Sequence, residues 1–320
     1  MMTDTEAETD PLIDPRGLWA AKLEKMTAES GYFHQLGANH FGVFLDEGTT
    51  LLVTFESLSS VLARPAQLPL AFDQAKANGW SLLTLIADGE TWFRDPAIYA
   101  FFDRQVDDAF FEDFDRVLFY GAGMGGYAAC AYSVAAPGAQ VLALNPRATL
   151  DPSQTRWDNR SRLASRLDFT SRYGYAPDML EGCAHATVIH DPVIVPDAMQ
   201  AALFRAPYIT RLSARNMGEA LEPHFAATEI LPPLIEQAMA AKLTTESFSK
   251  LWRVRRNYLP YLKNLLSLSE QAGRSGHERM ICNSVLQRVR APRFVKRLAR
   301  LNALENRDEA DDSATMHTED

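Results

Sequence analysis

The sequence RVLFYGAGMGGYAA, residues 116–129, decides the fold of this chain. It begins with an apolar run of strand length (116–120), continues through a glycine-rich turn and leads into small residues that favour a helix. A short run that is apolar throughout is typical of a strand buried on both faces of a parallel sheet. Glycine permits the sharp change of direction that follows the strand. The stretch therefore predicts a strand–turn–helix unit in an α/β protein.

The glycine-rich turn fits two known motifs. In the nucleophile elbow, G-x-S-x-G, small residues leave one side chain exposed at the tip of the turn. Gly121, Met124 and Gly125 match this pattern. Gly123 occupies the nucleophile position, where a residue without a side chain forms no acyl-enzyme. In the dinucleotide fingerprint, G-x-G-x-x-G, Gly121, Gly123 and Gly126 would let the pyrophosphate of FAD or NAD approach the helix.

The context of the turn favours the elbow. A dinucleotide fingerprint usually follows the first strand of its fold, whereas at least three β-like runs precede this turn. The next strand is followed by Asn145 and not by the acidic residue that would hold a ribose. Counting one unassigned strand before His40, the run 116–120 is the fifth strand, which is the place of the elbow in hydrolases. The favoured interpretation requires no cofactor, and an FAD- or NAD-binding oxidoreductase is the alternative.

Apolar runs of strand length alternate with helical segments over residues 30–225. The β-like runs are 40–45, 50–55, 80–87, 116–120, 140–144, 186–190 and 208–212. Helices are expected over 18–36, 68–78, 95–108 and 127–135. Between the first two runs, Asp46-Glu47-Gly48 has the chemistry of a hairpin turn. The pattern predicts an α/β fold, with a mostly parallel sheet that carries helices on both faces and begins antiparallel.

The chain after residue 225 predicts a C-terminal extension that is entirely helical. No strand pattern recurs there, and helices are expected over 228–242, 244–271 and 277–304, with a break at Pro260. The predicted organisation is a disordered acidic tail (1–16), an α/β-hydrolase-like domain (17–225), a basic helical extension (226–307) and a second disordered acidic tail (308–320).

Charge is distributed unevenly along the chain. Residues 1–241 carry a net charge of −14, residues 242–307 one of +11 and the last thirteen residues one of −6, against a total of −9. The basic segments RVRR (253–256) and QRVRAPRFVKRLAR (287–300) could dock on a protein partner, on anionic lipid, on nucleic acid or on the acidic body of the chain itself. No aromatic residues are interleaved to stack on bases, so no DNA specificity is expected. A basic helical cap packed on the α/β domain is the alternative without a partner.

Composition excludes several classes of protein. The 320 residues are 47% hydrophobic and 23% charged, which is ordinary for a globular chain. Cys130, Cys183 and Cys282 lie far apart, which argues against a disulfide framework and a cysteine zinc site, and the histidines form no metal-binding motif. The N-terminus lacks the basic and apolar segments of a signal peptide, and no apolar run is long enough to span a membrane. We therefore expect a cytoplasmic protein without a bound metal.

Candidate partners of the elbow follow the later strands. Asp191, at the end of the seventh strand, has the position of the acid in a hydrolase triad. Hydrolases often carry Gly-His after the eighth strand, where this chain has Gly218-Glu219. His224 is the nearby histidine that could replace it, although the favoured interpretation is a histidine on a solvated helix. Asp197 is expected to cap the next helix.

A binding site can survive without the nucleophile. The backbone N–H of Met124 and one near Glu56 or Ser57 would form an oxyanion hole, which binds a carboxylate, phosphate or carbonyl oxygen. Arg94, after the fourth strand, could pair with an anion or with a local acid such as Asp95. The candidate ligand-binding residues are Gly121, Ala122, Gly123, Met124, Gly125, Glu56 and Arg94.

The turn and the strand order resemble the α/β-hydrolase superfamily over about residues 40–225. With Gly123 in place of serine, the resemblance implies a pseudoenzyme that binds a small anionic or acyl ligand or a protein partner. If the chain is an enzyme, the resemblance implies a hydrolase that acts through a non-standard residue.

Over nearly its full length the chain also resembles a group of bacterial proteins often labelled phosphoadenosine phosphosulfate reductase. The segments LLVTFES, TWFRDP, FYGAGMGGYAA, RYGYAPDM and DAMQAALF carry this resemblance. Such reductases use a cysteine in a Glu-Cys-Gly context and a Ser-Gly-Gly phosphate loop, and this sequence contains neither. The resemblance therefore assigns no reductase residues to the chain.

Overall fold

An eight-stranded sheet forms the centre of the molecule. The computed structural model describes residues 15–161 and 166–316, so most of the predicted N-terminal tail lies outside the described residues. The strand order across the sheet is β1-β2-β4-β3-β5-β6-β7-β8. The strands are β1 (Gly31–Leu36), β2 (His40–Leu45), β3 (Thr50–Ser57), β4 (Ser81–Ala87), β5 (Arg116–Ala122), β6 (Gln140–Leu144), β7 (His185–His190) and β8 (Ile209–Ser213).

The sheet begins antiparallel and continues parallel. Strand β2 pairs antiparallel with β1 and with β4, and every pair from β4 to β8 across the sheet is parallel. Apolar side chains pack on both faces: Leu51 and Val53 of β3 belong to one core and Leu52 to the other. The predicted fold class, a mostly parallel sheet covered by helices on both faces, is confirmed.

Two predictions at the start of the sheet are wrong. The helix expected over 18–36 ends at Thr27, and β1 follows it. Phe33 stacks on Phe41 of β2 at 5.6 Å between ring centroids, so cross-strand aromatic packing outweighs the helical pattern of the local sequence. The expected hairpin of β2 and β3 does not form either, because β4 lies between these two strands. The turn after β2 is instead held by the hydroxyl of Ser81, which donates to the carbonyl of Gly48.

Helices connect the strands and form the C-terminal part. They are α1 (Pro15–Thr27), α2 (Leu58–Ala63), α3 (Phe72–Asn78), α4 (Pro96–Asp107), α5 (Met124–Tyr132), α6 (Pro152–Thr155), α7 (Val195–Ala201), α8 (Leu221–Ala227), α9 (Leu231–Met239), α10 (Thr245–Leu251), α11 (Leu259–Gln271), α12 (Ser275–Leu286) and α13 (Pro292–Met316). In the described ranges, none of them has both the length and the apolar character needed to cross a bilayer.

The C-terminal helices are shorter and more numerous than the sequence suggests. The predicted break at Pro260 is confirmed, since this residue stands in the first turn of α11 after the 3₁₀ segment Trp252–Asn257. Helix α13 runs on to Met316, so its helical residues include 308–316 of the segment predicted to be a tail. The buried side chains of Leu266, Cys282 and Phe294 form a separate core among the last three helices.

The topology marks one place at the edge of the sheet. From β3 the chain crosses to β4 on one side, and β5 lies on the other side of β3. In open α/β sheets, ligands bind beyond the carboxyl ends of the strands at such a switch point. The ends of β3 and β5 carry Ser57 and the glycine-rich turn.

Candidate functional site

Gly123 stands at the tip of a sharp turn between β5 and α5. Its backbone angles are φ 57° and ψ −115°, and α5 begins at the next residue, Met124. A residue with a side chain adopts this conformation only under strain. No atom outside the neighbouring residues lies within 4 Å of the position where a Cβ would stand. The tip of the turn therefore has room for a side chain and carries none.

The other glycines of the turn are explained by packing. A Cβ on Gly121 would lie 2.1 Å from the carbonyl oxygen of Gly125. A Cβ on Gly125 would lie 2.2 Å from the carbonyl oxygen of Phe55, and one on Gly126 would lie 3.0 Å from that of Leu144. These close approaches let α5 pack directly on β3 and β6. Gly121 and Gly125 therefore shape the turn through contacts within the protein.

A cavity of about 440 Å³ opens beside Gly123. Its walls come from the segments at the ends of β3, β4, β5, β6, β7 and β8, all at the carboxyl edge of the parallel strands. Its lining residues are Ser57, Ser59, Gly89, Glu90, Trp92, Gly123, Met124, Asn145, Arg147, Arg160, Ser161, Asp197 and Glu219. Of the predicted ligand-binding residues, Gly123 and Met124 line this cavity.

Two arginines that line the cavity are paired with two aspartates. Arg160 donates to both oxygens of Asp158 at 2.8 Å and to Asp197 at 2.5 Å. Arg147 lies 3.7 Å from Asp158, donates to the Ser161 hydroxyl at 2.7 Å and stacks over Trp92. Burial opposes the ionisation of Asp158, but hydrogen bonds from Arg160 and from a buried glutamine outweigh it and lower the pKa of Asp158 to about 2. The two positive charges are thus balanced by two carboxylates.

Asn145 and Trp92 bring two unpartnered polar atoms to the cavity wall. The Asn145 amide nitrogen donates to Asp197 at 2.7 Å, which leaves its Oδ1 buried without a hydrogen bond. The indole Nε1 of Trp92 is likewise buried without a partner. Both residues also have left-handed backbone angles, with φ of 46° and 53°. Buried polar groups are nearly always paired, so these two atoms mark a part of the wall whose polar groups the protein itself leaves unsatisfied.

Asp191 holds the loop after β8. Its buried carboxylate accepts hydrogen bonds from the backbone N–H groups of Val193, Asn216 and Gly218, the last at 2.8 Å. Asp191 therefore sets the position of Glu219, which follows Gly218 and lines the cavity.

His224 and Asp191 have different hydrogen-bond partners. Its Nδ1 is 2.9 Å from the hydroxyl of Tyr258, and its ring contacts the ring of the same tyrosine. Burial lowers the pKa of His224 below its ordinary value. His224 does not line the cavity, so the structure does not bring the two predicted catalytic side chains together there.

Glu56 faces a second, smaller cavity on the other side of the turn. This space of about 170 Å³ is also lined by Ala122, Met124, Gly125 and Glu222. Glu56 accepts from the Leu70 N–H at 2.8 Å and pairs with Arg64 at 2.5 Å. Burial raises the pKa of Glu56 to about 7, with Arg64 opposing the rise. Glu222, which accepts from the Tyr120 hydroxyl, also has a pKa raised by burial.

Arg94 points into the protein and organises a loop. Its guanidinium donates to the carbonyls of Asp168 and Arg172 and to the hydroxyl of Ser171. Asp95, the acid suggested as its partner, caps helix α4 instead. Arg94 therefore forms neither the predicted anion site in the cavity nor the predicted ion pair with Asp95.

Several cavity residues were not identified from the sequence. Asp197 was expected to cap α7, but it stands inside the first turn and binds Arg160 and Asn145. Asn145 and Arg147 follow β6 closely. Their position after a predicted strand, at the carboxyl edge of the sheet, is the sequence signal that could have identified them as cavity residues. Arg160 comes from an irregular segment far along the chain, where no local pattern indicates a site.

Neither the cysteines nor a metal cluster supplies a reactive centre among the described residues. Cys130, Cys183 and Cys282 are free and buried. Burial raises the pKa of each of these thiols. No group of three or more His, Cys, Asp or Glu side chains in the described ranges could hold a metal ion.

Comparisons with known proteins give only distant structural similarities. No family model and no curated protein matches the sequence. Est1E from Butyrivibrio proteoclasticus matches with a TM-score of 0.44 and 13% identity, over 66% of this chain and 100% of that one. An esterase domain from Rhodothermus marinus matches with a TM-score of 0.43 and 14% identity, over 66% and 96%. An S-formylglutathione hydrolase from Agrobacterium tumefaciens matches with a TM-score of 0.43 and 13% identity, over 66% and 94%.

Identities and scores this low support no argument about activity. The fold itself is read from the sheet, which has an antiparallel start, the order 1-2-4-3-5-6-7-8 and a sharp turn after the fifth strand. The chain therefore resembles the α/β-hydrolase superfamily in its fold, as the sequence predicts.

Proposed function

We propose that this chain is a hydrolase-fold protein that binds an acyl ligand without forming a covalent bond to it. The ligand would occupy the 440 Å³ cavity, with a carbonyl oxygen near the start of α5. Gly123 is the observation that carries the proposal. It has the backbone angles and the free space of a nucleophile at the tip of an elbow, and it has no side chain to react.

The lining of the cavity supports a binding role over catalysis. A serine hydrolase needs a histidine base within hydrogen-bond reach of its nucleophile. Among the described lining residues there is neither histidine nor cysteine, and Glu219 occupies the loop where hydrolases often carry the histidine. His224 is engaged with Tyr258. The alternative of a hydrolase with a non-standard residue therefore lacks a nucleophile–base pair in this cavity.

The turn still offers groups that bind a carbonyl oxygen. The first N–H groups of a helix have no carbonyl partner within the helix, and Met124 is the first residue of α5. The hydroxyls of Ser57 and Ser59 line the same cavity. Such donors stabilise a partial negative charge whether or not a nucleophile is present.

The balance of charge refines the expected ligand. Arg147 and Arg160 are matched by Asp158 and Asp197, while Glu90 and Glu219 add negative charge at the rim. A free anion would meet these rim carboxylates, whereas a neutral ester or amide would not. Of the small anionic and acyl ligands that the sequence leaves open, we therefore favour an uncharged acyl compound.

A reactive probe tests the absence of the nucleophile. We expect a fluorophosphonate to leave the purified chain unlabelled and p-nitrophenyl acetate to be hydrolysed no faster than in buffer. Labelling or hydrolysis by the native wild type that is lost when the protein is denatured beforehand would overturn the proposal. The double variant Gly123→Ser/Glu219→His, which supplies both missing groups, is expected to gain labelling. Gly273→Ser is the matched control, since Gly273 has a similar φ of 63° and open space but lies after α11.

Ligand-observed NMR tests the binding role directly. Butyramide and ethyl butyrate represent neutral acyl compounds, and butyrate represents the anion. We expect saturation transfer to the two neutral compounds and its loss in Gly123→Phe, whose ring would project into the cavity. Gly273→Phe should leave the signal unchanged. Equal transfer in wild type and Gly123→Phe would place binding elsewhere and contradict the assignment of the site.

A further inference from the structure

The surface of the C-terminal helices carries a cluster of exposed arginines. Arg253 and Arg256 lie three residues apart in the 3₁₀ segment Trp252–Asn257, where side chains at this spacing project from the same side. Both are exposed, as are Arg288 and Arg290 in the connection between α12 and α13. Arg288 Nη1 lies 3.5 Å from the side-chain oxygen of Asn257, so the two basic segments are adjacent in space.

The first turns of α13 extend this cluster. Arg293, Lys296 and Arg300 follow the i, i+3, i+7 spacing of one helix face and are exposed. Phe294 and Leu301, on the opposite face, are buried among the last three helices. The outward face of α13 therefore continues the positive charge. We call the whole surface the basic face; its residues are Arg253, Arg256, Arg288, Arg290, Arg293, Lys296 and Arg300.

The charge of the basic face is largely unneutralised. No Asp or Glu occurs between residues 247 and 269 or between 279 and 304. Within the described ranges, Arg253, Arg256, Arg288 and Arg290 form no ion pair, and Arg293 reaches Glu270 only at 3.5 Å. By contrast, Arg297, turned toward the helix core, is paired with Glu270 and Glu278. A cap docked on the acidic body would pair such charges, so the exposed ones are available to an external anion.

Exposed apolar side chains accompany the arginines. Val254 stands between Arg253 and Arg256 and is 37% exposed, and Val295, beside Lys296, is 51% exposed. Of the aromatic side chains nearby, Trp252 and Phe294 are buried and Tyr258 and Tyr261 are partly buried, so none of these rings is fully exposed. Binding of single-stranded nucleic acid uses exposed aromatic rings for stacking, whereas an anionic bilayer accepts basic residues together with apolar ones at its interface.

We propose that the basic face docks this protein on a bilayer surface rich in anionic lipid. The acidic body, which carries −14 over residues 1–241, would be repelled by the same surface. The molecule would therefore bind in one orientation, with the C-terminal helices toward the lipid. Binding is electrostatic in the main and weakens as salt screens it.

Vesicle sedimentation with the full chain tests this proposal. The probes are vesicles of phosphatidylcholine alone and of phosphatidylcholine mixed with phosphatidylglycerol, at low and at high salt. We expect sedimentation with the anionic vesicles at low salt, its loss at high salt, and none with phosphatidylcholine. The variant Arg253→Gln/Arg256→Gln/Arg288→Gln/Arg290→Gln should bind at least about tenfold more weakly.

A matched variant separates the basic face from overall charge. Lys25→Gln/Lys76→Gln/Arg116→Gln/Arg211→Gln removes the same number of exposed charges from the α/β part and should bind like the wild type. Unchanged melting temperatures would verify that both variants are folded. No sedimentation of the wild type, or equal loss in both variants, would overturn the proposal. Tighter binding to a single-stranded RNA that competes with the vesicles would overturn the choice of lipid as the partner.

Discussion

The carboxylate of Asp191 accepts a hydrogen bond from the backbone N–H of Gly218 at a distance of 2.8 Å. The residue that the sequence predicts as the acid of a hydrolase triad therefore binds the loop in which the sequence analysis looks for the histidine. Two further backbone N–H groups, from Val193 and Asn216, complete its partners. In this chain the acid has a structural role that needs no histidine.

The substitution Asp191→Asn should destabilise the fold by about 2–3 kcal/mol. An amide has one acceptor oxygen and one donor group, so at least one of the three N–H donors would face another donor and remain buried without a partner. Urea denaturation followed by circular dichroism measures the change. Asp178→Asn serves as the control, since Asp178 lies in a short surface 3₁₀ helix. A loss below about 0.5 kcal/mol would show that the loop does not depend on Asp191.

Glu56 should make the stability depend on pH in an unusual direction. Its pKa is raised from 4.5 to about 7, so the folded state binds a proton more tightly than the unfolded state does. Its contribution to stability is present in full below the unfolded pKa and is lost as pH rises through about 7. The size of the loss is on the order of 3 kcal/mol, and the raised pKa from which it follows already includes the opposing effect of Arg64.

The comparison that isolates Glu56 is the difference between wild type and Glu56→Gln. Glutamine resembles the protonated acid at every pH, so the variant should gain relative stability between pH 5 and about 8. Denaturation midpoints measured across that range give the curve. Glu24→Gln, at an exposed position on α1, should run parallel to the wild type. If the curve of Glu56→Gln also ran parallel to that of the wild type, Glu56 would be ionised over the whole pH range measured, which would contradict its raised pKa.

Most of the fold could be predicted from the sequence because the strands of a parallel sheet have a recognisable sequence pattern. Runs such as 140–144 are buried on both faces, so they are apolar throughout and bounded by turns. The errors in predicted secondary structure occur where pairing between distant strands determines the conformation. Strand β1 has a mixed pattern of polar and apolar residues and becomes a strand only by pairing with β2. The apparent hairpin failed because adjacency in sequence does not reveal that β4 separates β2 from β3.

Only the part of the site that a single local motif forms could be predicted from the sequence. The turn at Gly123 was found because its geometry depends on consecutive residues. The wall built by Arg160, Asp197 and Asn145 was not, because these residues come from three separate segments and meet through side-chain hydrogen bonds. The predicted roles of Arg94 are wrong for a similar reason: two of its partners are backbone carbonyls, and no sequence pattern indicates such contacts.

Arg94→Met should destabilise the protein by about 2–4 kcal/mol and loosen the loop 168–173. The substitution removes a buried guanidinium and leaves the partly buried carbonyls of Asp168 and Arg172 without their charged donor. Arg172→Met is the control, because its ion pair with Asp103 is about half exposed and such pairs contribute at most about 1 kcal/mol. Denaturation gives the stabilities, and limited proteolysis reports the loop. Equal effects of the two substitutions would contradict an organising role for Arg94.

Two glycines of the turn should respond very differently to the same substitution. Gly123→Ser places a side chain in open space at the cost of a strained φ of 57°, so the protein should fold with a loss of about 1–3 kcal/mol. Gly125→Ser would push a Cβ to 2.2 Å from the Phe55 carbonyl, which no rotamer can relieve, so the expected product is insoluble or unfolded. Soluble yield and thermal denaturation distinguish the two. A well-folded Gly125→Ser, or a Gly123→Ser that fails to fold, would mean that the turn does not have the shape on which the proposed function depends.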